Sequence, residues 1–237
     1  AAKIRFGHRV ISADWSSADG CWTVMVKRDS DDDTVTFKAN FLYLAAGYYD
    51  YDAGYRPEFP GEKDFAGQIV HPQHWPEGLD HSGKTVVVIG SGATAITLVP
   101  AMAETAKKVV MLQRTPTYLY PVPQTSPLDT WLRKFMPASA AHAITRRWNI
   151  RVQRFAFRMS RRNPDRMKQR LLKWTRERLP ADYPTFEKDF VPPYKPWEQR
   201  ACAVPEDDFY KAIASGKVEI ATDYIDHLTP KGIMLKS

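Results

Sequence analysis

A strand-like run passes directly into a glycine-containing turn in Thr85-Val86-Val87-Val88-Ile89-Gly90-Ser91-Gly92-Ala93-Thr94-Ala95. Consecutive β-branched residues of this kind are typical of a buried parallel strand. Apolar residues then recur at helical spacing through Val99 and Met102, and Val109-Val110-Met111-Leu112 follows as a second strand. The order of strand, turn, helix and strand predicts a βαβ unit with a parallel sheet.

The turn itself has the spacing Gly-x-Gly-x-x-Gly/Ala, which is the fingerprint of dinucleotide-binding folds. Gly90 permits the tight turn, Gly92 lets a pyrophosphate approach the backbone, and Ala95 lets the helix pack close to the strand. The helix N-terminus adds amide donors and the positive end of its dipole. We therefore predict a dinucleotide site formed by Gly90, Ser91, Gly92, Ala93, Thr94 and Ala95. The alternative is a βαβ turn that binds no nucleotide.

The choice of nucleotide depends on the residues that follow the second strand. An NAD site usually has an acidic residue there, which binds the ribose hydroxyls. This chain has Gln113-Arg114-Thr115 instead. A cation and a hydroxyl suit a 2′-phosphate, so the sequence favours NADP. A solvated strand-end charge is the alternative interpretation of Arg114.

Residues 119–190 interrupt this pattern with helical periodicity. Apolar residues recur at Trp131, Leu132, Phe135, Trp148, Val152, Phe155, Met159, Met167, Leu171, Leu172 and Leu179. We interpret the aromatic residues among them as ordinary helix packing. Pro164 is expected to separate two of the helices. After Pro192-Pro193 the α/β pattern resumes, with a helix over 209–213, a strand over 218–221 and a hairpin over 225–235.

The net charge of +7 is concentrated in this helical segment. Between Arg146 and Arg178 there are thirteen Arg or Lys residues and two acids, a local charge of +11, so the remainder of the chain carries about −4 (7 − 11). A solvated face is one interpretation, and a membrane or nucleic-acid surface is the other.

The composition sets outer limits on the class of protein. Hydrophobic residues make up 43% of the 237 residues, which is enough for a packed core. No apolar stretch approaches the roughly 18 residues needed to cross a bilayer. Cys21 and Cys202 form no disulfide framework or metal spacing, so we predict a cytoplasmic protein without a metal site.

The N-terminal residues 4–47 have β character. Three short strands are expected around Arg9-Val10-Ile11, Cys21–Val26 and Thr34–Phe37. Phe41-Leu42-Tyr43-Leu44-Ala45-Ala46-Gly47 is almost continuously apolar, and we expect it to form a further strand that is buried on both faces.

A longer motif lies between these strands and the glycine turn. Residues 65–76 fit Phe-x-Gly-x-x-x-His-x-x-x-Trp-Pro at every position, through Phe65, Gly67, His71 and Trp75. Together with Gly47 and Phe59-Pro60-Gly61, this motif resembles the identifying sequence of the class B flavoprotein monooxygenases, the Baeyer–Villiger and flavin-containing monooxygenases. Tyr49 stands where Trp is usual, a departure that is found in one bacterial branch of the family.

The resemblance implies a reaction. In this family NADPH reduces FAD, and O2 then adds to the flavin C4a as a peroxide. The oxygenated flavin inserts one oxygen atom into a ketone or oxygenates a soft sulfur compound. An N/S-oxygenating enzyme without Baeyer–Villiger activity is an alternative. We expect O2 and a small ketone or sulfur compound as partners, and no nucleic acid. Peripheral contact with the inner face of a membrane through residues 146–178 stays open.

The resemblance also assigns roles to individual residues. Arg114 and Thr115 would hold the 2′-phosphate, and Arg200 would be the active-site arginine, whose permanent cation stabilises an anionic intermediate. Many relatives have Lys immediately before that arginine, where this chain has Gln199. Phe65, Gly67, His71 and Trp75 are expected to fix the linker between two nucleotide domains.

The expected fold class is α/β: a Rossmann-like NADP-binding domain with a helical insertion, plus the trailing β-rich part of a FAD-binding domain. We place the FAD-domain segment and linker at 1–78, the NADP-binding domain at 79–118 and 191–237, and the insertion at 119–190. The resemblance implies that the first glycine motif lies N-terminal to Ala1. We therefore expect the chain to be a fragment that is inactive alone.

Two other classes of protein have the same broad features. A pyridine-nucleotide-disulfide reductase shares the two-nucleotide plan, but it needs a redox pair of cysteines, which this sequence lacks. A basic module for membrane or nucleic acid, carried on a Rossmann-like unit, would explain the charged helices.

Overall fold

The computed structural model describes residues 4–30, 33–47 and 49–237, which form mixed α and β structure. The chain divides into two compact units, residues 1–55 and 56–237. In chain order the main elements are β1 (His8–Ser16), β2 (Cys21–Arg28), β3 (Thr34–Ala39), β4 (Thr85–Ile89), α1 (Ala93–Ala103), β5 (Lys108–Gln113), β6 (Leu119–Val122), α2 (Pro127–Leu132), α3 (Ala138–Arg162), α4 (Pro164–Arg176), α5 (Phe186–Phe190), β7 (Cys202–Pro205), α6 (Asp208–Ala214), β8 (Val218–Thr222), β9 (Ile225–Thr229) and β10 (Gly232–Leu235).

The first unit contains an antiparallel sheet in the order β1-β2-β3. Val24 and Val26 point to its buried face, as expected from the alternation of side chains along a strand. Trp15 and Trp22 are cross-strand partners, and their ring centroids lie 5.6 Å apart. The three predicted strands are confirmed.

The predicted strand over residues 41–47 does not form. This segment has no strand structure, and Phe41, Tyr43 and Leu44 are 79%, 79% and 77% exposed. A strand needs main-chain partners on a neighbouring strand, and the described part of the first unit offers none to this segment. An apolar run without a partner strand therefore stays irregular and exposed to solvent.

The second unit is built on a parallel sheet in the order β4-β5-β8. α1 connects β4 to β5 and packs on one face of the sheet, and α6 leads into β8. Val99, Val109 and Phe209 are completely buried between these helices and strands. The predicted βαβ unit and the later helix, strand and hairpin are confirmed, as is the α/β class.

β4 is buried on one face only, in contrast to the expectation for a β-branched parallel strand. Val88 faces α1 and is buried, whereas Val87 and Ile89 are 39% and 47% exposed. β4 lies at the edge of the three described strands, and its second face has no cover among the described residues. The residues of β4 show that the strand is apolar, but they do not show whether other elements cover both of its faces.

The helical segment contains α2, α3, α4 and the short α5. Pro164 starts α4 directly after α3 ends, as predicted. Leu132, Leu171 and Leu179 are buried, but Trp148 and Phe155 on α3 are 55% and 67% exposed. The interpretation of these aromatics as ordinary helix packing is therefore wrong, because α3 packs against α2 and α4 through other positions.

Two short strands, β6 and β7, flank the helical segment in the chain and pair with each other in parallel. β6 pairs with β7 in the register Leu119↔Cys202 and Val122↔Pro205. The sequence predicted that the insertion starts at residue 119, and no sequence pattern indicated this pairing. The two ends of the helical segment therefore lie side by side beside the sheet.

Candidate functional site

The glycine turn follows β4 at the carboxyl edge of the sheet. Gly90 has φ +124°, a conformation that side chains with a Cβ rarely adopt. Its N–H donates to the Leu112 carbonyl over 2.8 Å, so the turn is held against the end of β5. The predicted reason for glycine at this position, a tight backbone turn, agrees with this geometry.

Gly92 has no such backbone requirement. It is the N-cap of α1 with φ −78°, which any residue can adopt, and a Cβ built there would meet nothing within 4 Å. The first turn of α1 contains no acidic residue. Ala95 is buried against the sheet, where a larger side chain would push the helix outward. The fold thus needs a small residue at 95 and leaves the space above Gly92 open.

Ser91 connects the glycine turn to the segment after β5. Its hydroxyl donates to the Thr115 carbonyl over 2.9 Å and lies 3.1 Å from the Thr117 hydroxyl. Thr115 is half-buried beside the turn, whereas the neighbouring Arg114 is exposed. Arg114 forms no ion pair within the part of the chain that the structure describes. The predicted phosphate-binding residues therefore meet at one edge of the sheet.

The segment that carries Arg200 is anchored to the same region by two tyrosines. The Tyr118 hydroxyl donates to the Tyr194 carbonyl over 2.5 Å, and the Tyr194 hydroxyl donates to the Pro116 carbonyl over 3.1 Å. Their rings meet edge to face with centroids 5.5 Å apart. Burial raises the pKa of Tyr118 to about 12. Sequence patterns gave no signal for this anchor, because the two tyrosines are far apart in the chain.

Arg200 itself is exposed and follows a tight turn. Trp197 in that turn has φ +69°, an uncommon conformation for a bulky residue that is often found at functional sites. Two residues after Arg200, the Cys202 thiol donates to the Ser91 carbonyl over 3.9 Å. Burial raises the pKa of this thiol, and the Arg200 guanidinium opposes the shift. Arg200 thus lies near the residue that contacts the glycine turn.

The long motif, which lies near the start of the second unit, makes local structural contacts. The Phe65 ring lies against Gly67, where a Cβ would stand 2.6 Å from a ring carbon. His71 caps a short 3-10 turn by accepting the Gln73 N–H through Nδ1 over 3.3 Å, and Trp75 is exposed. These contacts give Phe65, Gly67 and His71 local structural roles.

The Phe-Pro-Gly sequence fits against the C-terminal hairpin. The Leu228 N–H donates to the Pro60 carbonyl over 2.7 Å. A Cβ on Gly61, which has φ +72°, would lie 2.2 Å from the Leu228 carbonyl oxygen. Glycine is therefore required at 61 both by its conformation and by the close approach of β9.

A buried carboxylate that no sequence pattern indicated, Asp189, lies next to the site. Asp189 accepts hydrogen bonds from the hydroxyls of Tyr183, at 3.0 Å, and Thr222, at 2.7 Å, and from Thr185. Gln113, at the end of β5, donates to the Asp189 carbonyl over 2.8 Å. This network fastens α5 to the ends of β5 and β8, below the glycine turn.

Among the described residues, no group of three or more His, Cys, Asp or Glu side chains could hold a metal ion. No helix in the same part of the chain is long and apolar enough to cross a membrane. Both cysteines are free thiols.

Residues 4–180 match the family model described as flavin-binding monooxygenase-like. The chain belongs to this family. The sequence resemblance to the flavin-containing monooxygenases is confirmed, and the chain is part of an enzyme family. The family match includes the glycine turn, Arg114 and the long motif, and it ends before Arg200.

Curated relatives extend the same result. FAD-containing monooxygenase EthA of Mycolicibacterium smegmatis is 45% identical, over 99% of this chain and 47% of its own length. The EthA protein of Mycobacterium tuberculosis is 46% identical, and probable FAD-binding monooxygenase AlmA of Acinetobacter baylyi is 44% identical, each over 99% of this chain and 47% of its own length. The chain therefore spans about half the length of the curated relatives it matches.

Solved structures show the same fold at lower identity. An oxidised steroid monooxygenase bound to NADP matches with a TM-score of 0.74 and 23% identity, over 100% of this chain and 51% of that chain. An OTEMO complex with FAD and NADP matches with a TM-score of 0.68 and 22% identity, over 98% and 50%.

Proposed function

We propose that the carboxyl edge of the β4-β5-β8 sheet binds NADP(H). The observation that carries this proposal is Gly92, whose glycine the fold itself does not require. A pyrophosphate lying over the turn would require it, because a Cβ would then intrude on the ligand. The N-terminal amides of α1, from Ala93 and Thr94, would bind the phosphates.

The 2′-phosphate would lie against Arg114 and Thr115. Arg114 is exposed and has no acidic partner among the described residues, so its guanidinium is available to an anion. The Ser91 hydrogen bond holds Thr115 beside the turn. This arrangement supports NADPH over NADH, in spite of Gln199 at the position where many relatives have Lys.

We further propose that the polypeptide carrying this chain is an FAD- and NADPH-dependent monooxygenase that acts on a ketone or a sulfur compound. The relatives whose names include FAD support the flavin as cofactor. A bound flavin would supply electron transfer and oxygen activation. Arg200 would stabilise negative charge that develops during oxygen transfer, since an arginine keeps its proton at any working pH. Oxygenation of nitrogen and sulfur alone is the second candidate reaction.

The proposal includes the domain organisation of the chain. Residues 1–78 would contribute to the flavin domain and linker, residues 79–118 and 191–237 to the NADP-binding domain, and residues 119–190 to the helical insertion. The long motif with Phe65, Gly67, His71 and Trp75 would set the linker between the domains.

The test is the flavin spectrum and NADPH oxidation of the complete polypeptide that carries this chain. We expect bound flavin, a preference for NADPH over NADH, and oxygenated product from a ketone or a sulfide. Flavin without NADPH oxidation would contradict the nucleotide assignment. NADPH oxidation without product from either substrate class would contradict the monooxygenase assignment.

A further inference from the structure

α3 carries an apolar row that the described residues leave uncovered. The row consists of Ile144, Trp148, Val152 and Phe155, which recur every three or four residues and therefore share one side of the helix. All four side chains are exposed. Single exposed apolar residues are common on soluble proteins, whereas a contiguous row marks a surface that docks on something.

A second row of arginines borders the apolar one. Arg147, Arg151 and Arg158 repeat at helical spacing, about a quarter turn or less from the apolar row. α3 contains seven arginines and no acidic residue. None of these arginines forms an ion pair with any residue that the structure describes. The positive charge along this side is therefore not neutralised by the described residues.

The fold holds α3 through other positions. Ala141, Thr145 and Ser160 are its buried residues, and α3 packs against α2 and α4. The Phe157 ring meets the Trp197 ring edge to face, with centroids 5.7 Å apart. No residue of the two exposed rows is among the buried residues of α3, so these rows can be substituted without changing its buried side chains.

We propose that this side of α3 docks on the surface of an anionic phospholipid bilayer. The apolar row would enter the boundary between headgroups and acyl chains, where a tryptophan is well suited, and the arginine row would contact lipid phosphates. Charge complementarity favours this occupant. A nucleic acid would use the arginines but gain little from Ile144 and Val152. A second copy would bring its own arginine row against the first, and like charges repel. The proposal does not depend on nucleotide binding or on catalysis.

The experiment is co-sedimentation of the complete polypeptide with vesicles. One set is phosphatidylcholine alone, and the other contains phosphatidylglycerol as well, each at low and high salt. We expect binding to the anionic vesicles only, weakened by salt. Arg147→Gln, Arg151→Gln and Arg158→Gln together should weaken this partitioning on the order of a hundredfold. The matched control removes three exposed lysines elsewhere, Lys63, Lys107 and Lys231. This control should change the partitioning onto anionic vesicles by less than about threefold.

The apolar row is tested separately. Trp148→Ser combined with Phe155→Ser should abolish vesicle binding, whereas Trp148→Phe should retain it. Failure of the parent protein to bind anionic vesicles overturns the proposal. An equal loss of vesicle binding in the arginine variant and in the lysine control also overturns it, because net charge alone would then explain the binding. Binding of duplex DNA that the arginine variant loses, without vesicle binding, would assign the surface to nucleic acid. A change of oligomeric state alone in the serine variant would assign it to self-association.

Discussion

The Ser91 hydroxyl donates a hydrogen bond to the carbonyl oxygen of Thr115 over 2.9 Å. This bond joins two chain segments that sequence alone relates only by motif spacing: the glycine turn after β4 and the residues that follow β5. Since Arg114 directly precedes Thr115, its backbone is held close to the turn, while its side chain is exposed. The backbone of the candidate nucleotide site is therefore held together before any ligand arrives, as preorganised binding requires.

Gly92→Ala separates a ligand requirement from a folding requirement. Because the new Cβ meets nothing, we expect the free energy of unfolding to change by less than about 1 kcal/mol. NADPH binding should weaken at least about tenfold, because the methyl group would stand where the pyrophosphate passes. Gly61→Ala is the matched control and should lower stability by about 1–3 kcal/mol through backbone strain. Urea denaturation and nucleotide titration measure both effects, and unchanged NADPH affinity in Gly92→Ala would count against the site.

Arg114→Ala tests the choice of nucleotide. The loss of one charge-assisted contact to the 2′-phosphate should weaken NADPH binding by roughly 1–3 kcal/mol. NADH has no such phosphate, so its affinity should hardly change. Lys107→Ala, at the opposite end of β5, removes an exposed cation and should affect neither nucleotide. Equal weakening of both nucleotides by Arg114→Ala would refute the assignment.

Arg200→Ala in the complete polypeptide tests catalysis. We expect NADPH binding to be largely intact, and flavin reduction and oxygenation both to fall, the second more severely. The loss of product should correspond to about 3–4 kcal/mol of charge stabilisation in the transition state. Lys195→Ala, an exposed cation near the same turn, is the control. Product from a ketone and a sulfide is measured beside NADPH consumption, and parental rates with both substrates would show that Arg200 is not the catalytic arginine.

Asp189→Ala tests the buried network beneath the site. Three hydroxyl donors lose their acceptor in a region without solvent, so we expect a loss of stability of about 3 kcal/mol or more. Asp182→Ala, an exposed acid on the same segment, should change stability by less than about 0.5 kcal/mol. Both changes are measured as shifts in the midpoint of urea unfolding, provided that the dependence of the free energy of unfolding on urea concentration has the same slope. Similar midpoints for the two variants would mean that the network contributes little.

Alkaline pH should weaken the fold through two buried tyrosines. Burial raises the pKa of Tyr118 and of Tyr210 to about 12, above the ordinary value of about 10. Below pH 10 both phenols are neutral in the folded and unfolded chains, so this stability is fully present. Between about pH 10 and 12 only the unfolded chain ionises readily, and stability falls. Tyr118→Phe should flatten this dependence, and Tyr55→Phe, at an exposed position, should not. If the free energy of unfolding of the parent protein stays constant up to pH 12, the pKa values of these two tyrosines are not raised by folding.

The sequence predicted those parts of the fold that are encoded locally. The order β4, α1 and β5 follows from hydrophobic periodicity and from the glycine spacing, and both are properties of neighbouring residues. Residues 41–47 show the limit, because an apolar run does not reveal whether another strand pairs with it. Trp148 and Phe155 show the same limit for a helix, since periodicity defines a side but not what covers it. Asp189 and Tyr118 bind residues distant in the chain and left no local pattern.

The parallel pairing of β6 with β7, reinforced by the reciprocal bonds of Tyr118 and Tyr194, brings both ends of the helical segment to one point. The segment between them is thus a detour of the chain, which leaves the β4-β5-β8 sheet and returns to the same place. Lengthening such a detour costs little, since doubling a closed loop adds only about 0.6 kcal/mol of chain entropy. The outer helices α2 and α3 can therefore be lengthened while the glycine turn, Arg114 and Arg200 keep their relative positions, whereas α5 has to stay, because Asp189 ties it to the ends of β5 and β8.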